Sequence, residues 1–297
     1  MVRRGLVPSR ETARRLIAER QVLVDGSFAE KPARMVDAGQ AIVFVNPPPP
    51  YVSRAGLKLA GALDEFAIDP SDLVCLDAGS STGGFTDCLL QRGAKSVVAV
   101  DVGTNQLHEK IRADGRVDVR EQTDVRSLQP SEFSSLFDLI VGDLSFISLR
   151  LVLPSLRPLM ADGARMVMLV KPQFEAGRVE ASKAKGVITD PEIWRRALTE
   201  VLDSAADLGL SADGIVPSSI QGGQGNVEFV VLLTAESLTI GANGRSKGDT
   251  CEERADPGSG RGGLMSIDEG DNYTGRSQLV DLAIDRVVTD LEQRQEP

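Results

Sequence analysis

The stretch from Leu73 to Val170 constrains this chain most. Short apolar runs recur at Leu73–Leu76, Ser96–Val100, Val117–Arg120, Leu139–Val141 and Met166–Val170, and helical segments or loops, among them Phe85–Arg92 and Leu149–Leu159, separate them. Parallel strands need long crossovers and antiparallel strands do not, so this alternation predicts a doubly wound parallel sheet. A helix follows over Pro191–Leu208, with Pro191 suited to its first turn. Two later runs, Gly214–Pro217 and Val227–Leu233, have no helix between them, and they predict an antiparallel pair closing the sheet. A helix over Arg54–Phe66, capped by Ser53, precedes the sheet and turns Leu59, Ala62, Leu63 and Phe66 to the core.

The region ahead of that helix is different. Residues 9–20 read as a helix with Ser9 as N-cap and Ala13, Leu16 and Ile17 as its apolar stripe. A strand at Val22–Val24, an Asp25-Gly26 turn and a strand at Ala41–Val45 complete a small α+β unit over 1–46. Asn46 and the four prolines after it form an extended spacer, so 47–52 reads as a proline-rich linker. The α/β domain then spans 53–238. Residues 239–297 read as a disordered, Gly-rich polar tail carrying one amphipathic helix at 277–293, with Leu279, Leu282, Ala283, Val287 and Leu291 on one face.

Charge divides along the same lines. Residues 1–60 hold 10 Lys and Arg against 5 Asp and Glu, whereas residues 61–235 hold 16 against 25. A basic front on an acidic body suits a unit that docks on a polyanion, although a solvated charged helix would look the same. The candidate nucleic-acid contacts of the front are Arg3, Arg4, Arg10, Arg14, Arg15, Arg20 and Lys31; Lys183 and Lys185 add two more before Gly186, in what reads equally well as a solvated loop. No apolar run is long enough to span a bilayer, and the first residues lack the apolar core of a secretion signal. Three scattered cysteines and one histidine make neither a disulfide framework nor a metal site, which fits a cytoplasmic protein without a metal.

Two clusters carry chemistry. The first strand runs into Asp77-Ala78-Gly79-Ser80-Ser81-Thr82-Gly83-Gly84-Phe85 and then a helix. A Gly-rich turn there lets backbone approach a ligand and aims helix N–H groups at it. Asp77, Gly79, Ser80, Gly83, Gly84 and Phe85 are therefore cofactor candidates. Asp101, ending the second strand, suits ribose hydroxyls, and Asp124, after the third, suits an adenine amino group. Loop and acids in this order fit a Rossmann-like site for S-adenosyl-L-methionine, with another nucleotide as the alternative. Asn46-Pro47-Pro48 to Tyr51 is similar to the signature of amino-group methyltransferases, but it sits in a spacer rather than after a strand, so it reads as linker.

The second cluster is Lys58, Asp143, Lys171 and Glu228. Asp143 and Lys171 end the fourth and fifth strands, where ligands of open α/β sheets bind. Glu228 interrupts an apolar run, and Lys58 lies beside the apolar stripe of its helix. Two lysines and two acids suit deprotonation of a poor nucleophile such as a ribose 2′-hydroxyl. A free lysine titrates near ~10.4, and burial beside a second cation brings such a group toward the ~7–8 of an effective base. On this reading Lys171 is the base, Asp143 and Glu228 orient it, and Lys58 is the second cation. On the other reading each lysine simply pairs with an acid at the rim.

These residues resemble a known family, the TlyA-like, hemolysin-named rRNA 2′-O-ribose methyltransferases, whose catalytic domain is FtsJ-like. The resemblance covers most of residues 1–238. It rests on Ser53-Arg54-Ala55-Gly56-Leu57-Lys58-Leu59, on the Asp77–Asp87 loop, on Asp143-Leu144-Ser145-Phe146-Ile147-Ser148 and on Lys171-Pro172-Gln173-Phe174-Glu175. The front unit, from Ser9-Arg10 through Val24-Asp25-Gly26 to Lys31-Pro32, is similar to the RNA-binding domain of ribosomal protein S-four. The resemblance implies a Lys-Asp-Lys-Glu tetrad at Lys58, Asp143, Lys171 and Glu228. It further implies methylation of a cytidine ribose in ribosomal RNA or ribosomal subunits, with no membrane role. The rival readings are methylation of a base or of another RNA, and a non-catalytic ribosome-assembly factor; a pore-former has no support. The proline run replaces the Arg- and Trp-bearing segment some relatives carry, and the resemblance says nothing about the tail.

Overall fold

The structure, a computed structural model, describes residues 1–7, 9–46, 49–235 and 269–293. It has two compact units, Met1–Pro50 and a second beginning at Tyr51. In the first, α1 (Arg10–Ala18) leads into β1 (Val22–Val24), β2 (Ser27–Phe28) and β3 (Ile42–Phe44), an antiparallel sheet with β1 in the middle. Ser9 caps α1 as expected, its Oγ accepting the Thr12 amide at 3.0 Å. Leu16, Ile17, Val22, Val24 and Ala29 form the core. The two-residue β2, just past the Asp25-Gly26 turn, is too short to leave a period in the sequence.

The second unit opens with α2 (Ala55–Glu65), β4 (Val74–Ala78), α3 (Gly84–Gln91), β5 (Ser96–Val100), α4 (Glu109–Arg112), β6 (Val117–Arg120) and β7 (Phe137–Gly142). It continues through α5 (Leu153–Leu156), β8 (Met160–Val170), α6 (Pro172–Glu175), α7 (Arg178–Lys183), α8 (Pro191–Ala206), β9 (Leu210–Pro217) and β10 (Phe229–Ala235). Strand order is β6-β5-β4-β7-β8-β10-β9. All neighbours are parallel except β10, which runs antiparallel to both β8 and β9, so the expected Rossmann-like sheet with an antiparallel closing strand is present. Buried clusters lie on both sheet faces, one including Leu76, Ile140, Met168 and Trp194, the other Leu59, Leu89, Val141 and Leu169.

Several local expectations change. Arg54, not Ser53, is the N-cap of α2, and it makes no side-chain cap. Residues 149–159 break into short turns around α5, because Pro154 and Pro158 deny the helix two backbone donors. Strand β8 begins at Met160, hidden in the sequence by Asp162-Gly163. Tyr51 and Val52 belong to the second unit rather than to a linker: the Tyr51 ring lies against the Gly56 backbone, and the Val52 amide donates to Asp87 Oδ2 at 2.8 Å. Lys183 ends α7 and is exposed, as is Lys185 just beyond it. Prolines 47 and 48, and the stretch 239–268 read as disordered, lie outside the described residues.

The late helix α9 (Glu269–Gln293) starts earlier than 277 and packs on α8 and β9. Its buried stripe is Val280, Ala283, Ile284 and Val287, at i, i+3, i+4, i+7 spacing. Leu282, assigned to that face from the sequence, is 66% exposed. Ion pairs Arg195–Asp281, Arg276–Asp203 and Arg286–Glu65 flank the stripe and fix the rotation of the helix. Replacing Ile284 by Ala is therefore expected to lower the unfolding free energy by ~2–4 kcal/mol, whereas Leu282→Ala changes it by less than ~0.5 kcal/mol. Urea titration of both variants checks this, and equal losses would mean the helix is docked by a different face.

Candidate active site

The cofactor loop is built from the end of β4. Gly79 and Ser80 both donate their amides to the Val100 carbonyl, at 2.9 and 3.0 Å, which folds the loop over the tip of β5. Gly79 has φ +84°, and a Cβ there would lie 3.0 Å from a Leu144 methyl and 3.2 Å from the Asp143 carbonyl, so the position requires glycine. Asp101 follows β5. One of its oxygens accepts the Ser81 amide at 2.8 Å and the other the Gly103 amide at 2.7 Å. A carboxylate oxygen has two lone pairs, so Asp101 keeps acceptor capacity for a diol while the backbone holds it still.

A cavity of about 470 Å³ opens beside these groups, with Gly79, Asp101, Asp124 and Asp143 in its wall. Five other candidates do not line it. Asp77, Ser80, Gly83, Gly84 and Phe85 are buried beneath the loop, and Phe85 packs in the core beside Leu59 and Cys88. The Asp124 carboxylate is taken by its neighbour Arg126, whose guanidinium holds its pKa below the usual carboxylate range. The Asp124 side chain is thus already paired, and only the backbone at this position is left to meet a ligand. Sequence reasoning missed Ser81, Ser145 and Phe146, which also border the cavity. Phe146 is 92% exposed with φ +65°, and its ring lies 5.2 Å from that of Phe174. A D-x-S-F run at a strand end was the available signal for the last two.

The four candidate catalytic residues meet at the same edge of the sheet, and register explains why. Gly142 of β7 pairs with Ala78 of β4, which puts Asp143 beside the loop. Val170 of β8 pairs with Phe229 of β10. Because that pair is antiparallel, the residue after Val170, Lys171, and the residue before Phe229, Glu228, come to the same end. Lys171 Nζ lies 2.6 Å from Asp143 Oδ1 and donates to Ser145 Oγ at 2.8 Å. Lys58 Nζ, reaching down from α2, lies 2.5 Å from Glu228 Oε2 and 3.8 Å from Asp143 Oδ2. Lys58, Lys171 and Glu228 are buried. A Cβ on Gly222 would sit 2.1 Å from Glu228 Oε1, so only glycine at 222 leaves room for this carboxylate. Among the described residues no cluster of His, Cys, Asp or Glu could hold a metal ion.

In the first unit, Arg3, Arg10, Arg14, Lys31 and Arg34 surround a cavity of about 570 Å³ with an apolar floor. Arg4 is exposed but holds the carbonyls of Asp37 and Gln40 with its guanidinium, which ties the N-terminal turn to a loop. Arg15 is exposed away from this cavity, and Arg20 lies over the Phe28 ring.

Residues 51–235 match the FtsJ-like methyltransferase family, and residues 1–42 match the S4 domain. The chain belongs to the FtsJ-like methyltransferase family. It is 44% identical over 238 residues to the 16S/23S rRNA (cytidine-2′-O)-methyltransferase TlyA of Mycobacterium tuberculosis, covering 80% of this chain and 88% of that protein. Two solved hemolysin-named proteins share its fold. The Streptococcus thermophilus protein is 37% identical with a TM-score of 0.66, over 97% of this chain and 94% of that one. The Lactococcus lactis protein is 47% identical with a TM-score of 0.62, over 64% of this chain and 90% of that one. The match to the FtsJ-like family begins at Tyr51, where the second unit begins.

Beneath the FtsJ-like loop, Asp77 is wholly buried. Thr86 donates to its Oδ2 at 2.6 Å, and its Oδ1 has no hydrogen-bond partner. Burial pushes its pKa up from 3.8 to about 7, against the pull of the Thr86 bonds. A carboxyl that binds its proton more tightly when folded contributes stability that is complete below the unfolded pKa. That contribution is lost as pH rises through the folded one. Relative to Asp77→Asn, the parent chain is therefore expected to lose unfolding free energy as pH rises from about 4 to about 7. Denaturant midpoints across that range measure it, and parallel profiles would mean Asp77 keeps an ordinary pKa.

Proposed function

We propose that the protein transfers the methyl group of S-adenosyl-L-methionine to a ribose 2′-hydroxyl of ribosomal RNA, at cytidine, with Lys171 as general base. The observation that carries the reading is the pairing of two buried lysines with two carboxylates at the mouth of a cavity that suits a nucleoside. Asp101 would hold the ribose hydroxyls, the Gly79 turn would lie against the methionine portion, and the backbone at Asp124 would meet the adenine. Bound there, S-adenosyl-L-methionine supplies an electrophilic methyl group.

The chain's part is to make the hydroxyl nucleophilic. A neutral amine has two N–H bonds and one lone pair. Ser145 Oγ accepts from Lys171 Nζ at 2.8 Å, and Asp143 Oδ1 lies 2.6 Å from it as a charge contact without a formed hydrogen bond. On this reading the amine's lone pair takes the proton of the acceptor hydroxyl. When the proton arrives, the new ammonium is already beside the Asp143 carboxylate. Glu228 binds Lys58, so the second ammonium neither draws Asp143 away from Lys171 nor stands unpaired. TlyA, the relative from M. tuberculosis, is named for cytidine 2′-O-methylation in 16S and 23S rRNA, and its 44% identity supports the same substrate class here. No helix among the described residues is long and apolar enough to cross a membrane, and the hemolysin names of other relatives do not alter the chemistry of this site.

Transfer of tritiated methyl from S-adenosyl-L-methionine to unmodified ribosomal subunits and to free rRNA tests the reading. Label should resist alkaline cleavage at the modified ribose. Lys171→Ala should cut transfer by ~100-fold or more with cofactor affinity nearly intact. Asp101→Ala should weaken cofactor binding first, by ~10-fold. Ser145→Ala should lower kcat by ~10-fold without raising KM, and Ser145→Thr should restore it. The reverse pattern for Lys171 and Asp101 would overturn their roles.

The S4 domain would supply affinity by neutralising phosphates. Replacing Arg10 and Arg14 together by Gln is expected to weaken rRNA binding and to flatten its salt dependence, by ~0.9 in log–log slope for each phosphate no longer neutralised. Filter binding across a salt series reads this; an unchanged slope would place the RNA elsewhere.

A further inference from the structure

The cations of the first unit do not all face one cavity. Helix α1 ends at Ala18, and Arg20 takes a left-handed backbone, φ +55°, as the chain turns into β1. Its guanidinium carbon then lies over the Phe28 ring, 4.4 Å from its centre, in a cation–π contact. Phe28 pairs across β1–β2 with Leu23, between the buried Val22 and Val24, so it stands on the sheet face away from the core. It is 38% exposed and takes no part in the buried cluster.

Around it opens a cavity of about 580 Å³ walled by Phe28, Glu30, Lys31, Ala33 and Arg34. Lys31, Ala33 and Arg34 also wall the basic cavity that holds Arg3, Arg10 and Arg14. One turn, closed by the Arg34 amide on the Lys31 carbonyl at 3.0 Å, therefore divides two chambers of different chemistry. The first is lined by five cations and no carboxylate, as a phosphate path requires. The second has the exposed Phe28 ring, which Arg20 contacts from outside the cavity wall, two cations and the carboxylate of Glu30. A carboxylate beside a phosphate is repulsive, but beside a nucleobase it accepts from an exocyclic amine. Among the described residues, Arg20, Lys31 and Arg34 make no ion pair, so their charges are available.

We propose that the Phe28–Arg20 pair is a platform for one unpaired nucleobase of the docked RNA. The base lies flat against the Phe28 ring, which Arg20 backs, Lys31 and Arg34 take the adjoining phosphates, and Glu30 accepts from an amino group, which favours cytosine, adenine or guanine over uracil. The proposal rests on the reading of the protein as an rRNA methyltransferase. It adds that the S4 domain distinguishes unpaired RNA from duplex. Aromatic rings and guanidinium planes are the surfaces on which splayed-out bases stack, and such surfaces are indifferent to a paired helix.

Fluorescence anisotropy of the full chain against a labelled 12-nucleotide unpaired C-rich RNA and a 12-base-pair duplex tests this. Phe28→Ala and Phe28→Leu should each weaken binding of the unpaired RNA by ~10-fold and that of the duplex by less than ~2-fold, and Phe28→Tyr should bind like the parent. Equal losses on both RNAs, no loss on either, or a parent chain that ignores the unpaired RNA would overturn the platform. So would a loss seen only on assembled subunits, which would place a ribosomal protein there instead. Methyl transfer by the parent chain is measured in parallel. Failure of transfer strikes the functional reading, whereas transfer with an indifferent Phe28 strikes the platform alone.

Discussion

Four charges share the carboxyl edge of the sheet in this protein, and each depends on the others. A buried ammonium or carboxylate without a partner costs several kcal/mol, on the order of 3–5 when a pair is broken. Lys58 with Glu228 and Lys171 with Asp143 meet that requirement within 2.6 Å. The four come from α2, the end of β7, the end of β8 and the residue before β10, segments spread over 170 positions of sequence. The pairing is thus also a demand on register. Were β10 parallel to β8, its first residue would lie at the opposite edge, Glu228 would lack a partner, and Lys58 would keep only Asp143, 3.8 Å away. The reversed strand is the topological feature that brings the four charges together.

That reversal was legible because two apolar runs, Gly214–Pro217 and Val227–Leu233, left no room for a helix. Strand β5 also stands where its apolar run puts it, since a parallel strand buried on both faces is written as continuous Val and Ala, whereas the edge strand β6 alternates as Val-Asp-Val-Arg. What failed to show was structure fixed by a neighbour rather than by a period. The two-residue β2 exists because β1 offers it a ladder. The start of β8 is interrupted by Asp162-Gly163 in sequence, and Met160 finds its partner in Phe137 of β7. The rotation of α9 follows from Asp281 and Arg286 finding partners on α8 and α2, and no pattern within 277–293 could reveal those partners.

The same division runs through the site. The four charged residues could be picked out because a strand-end Lys or Asp, or an acid against an apolar run, is out of place unless something uses it. The cofactor loop was legible as a motif but not as a surface. Of its buried members, Asp77 and Phe85 shape the turn from below, and the groups that line the cavity are Gly79 and Asp101. A glycine-rich motif records the backbone path, and the path does not say which side faces the cavity. Asp124 shows the complementary limit. Its position after a strand suggested a ligand contact, yet Arg126, two residues on, satisfies it locally.

Charge distribution adds a constraint on how substrate is chosen. Phosphate contacts give affinity that is indifferent to sequence, and a uniformly basic protein would hold any RNA. Here the excess of cations is confined to the first 60 residues, and residues 61–235 carry nine more acids than bases. An acidic FtsJ-like domain opposes loose association of RNA with its own surface, and the basic S4 domain does not. If Lys171 is the base, as proposed, affinity and reaction are then placed on separate surfaces. Among the described residues, the exposed rings of Phe146 at the rim of the cavity and of Phe28 in the S4 domain are flat apolar surfaces at which shape, rather than charge, could discriminate.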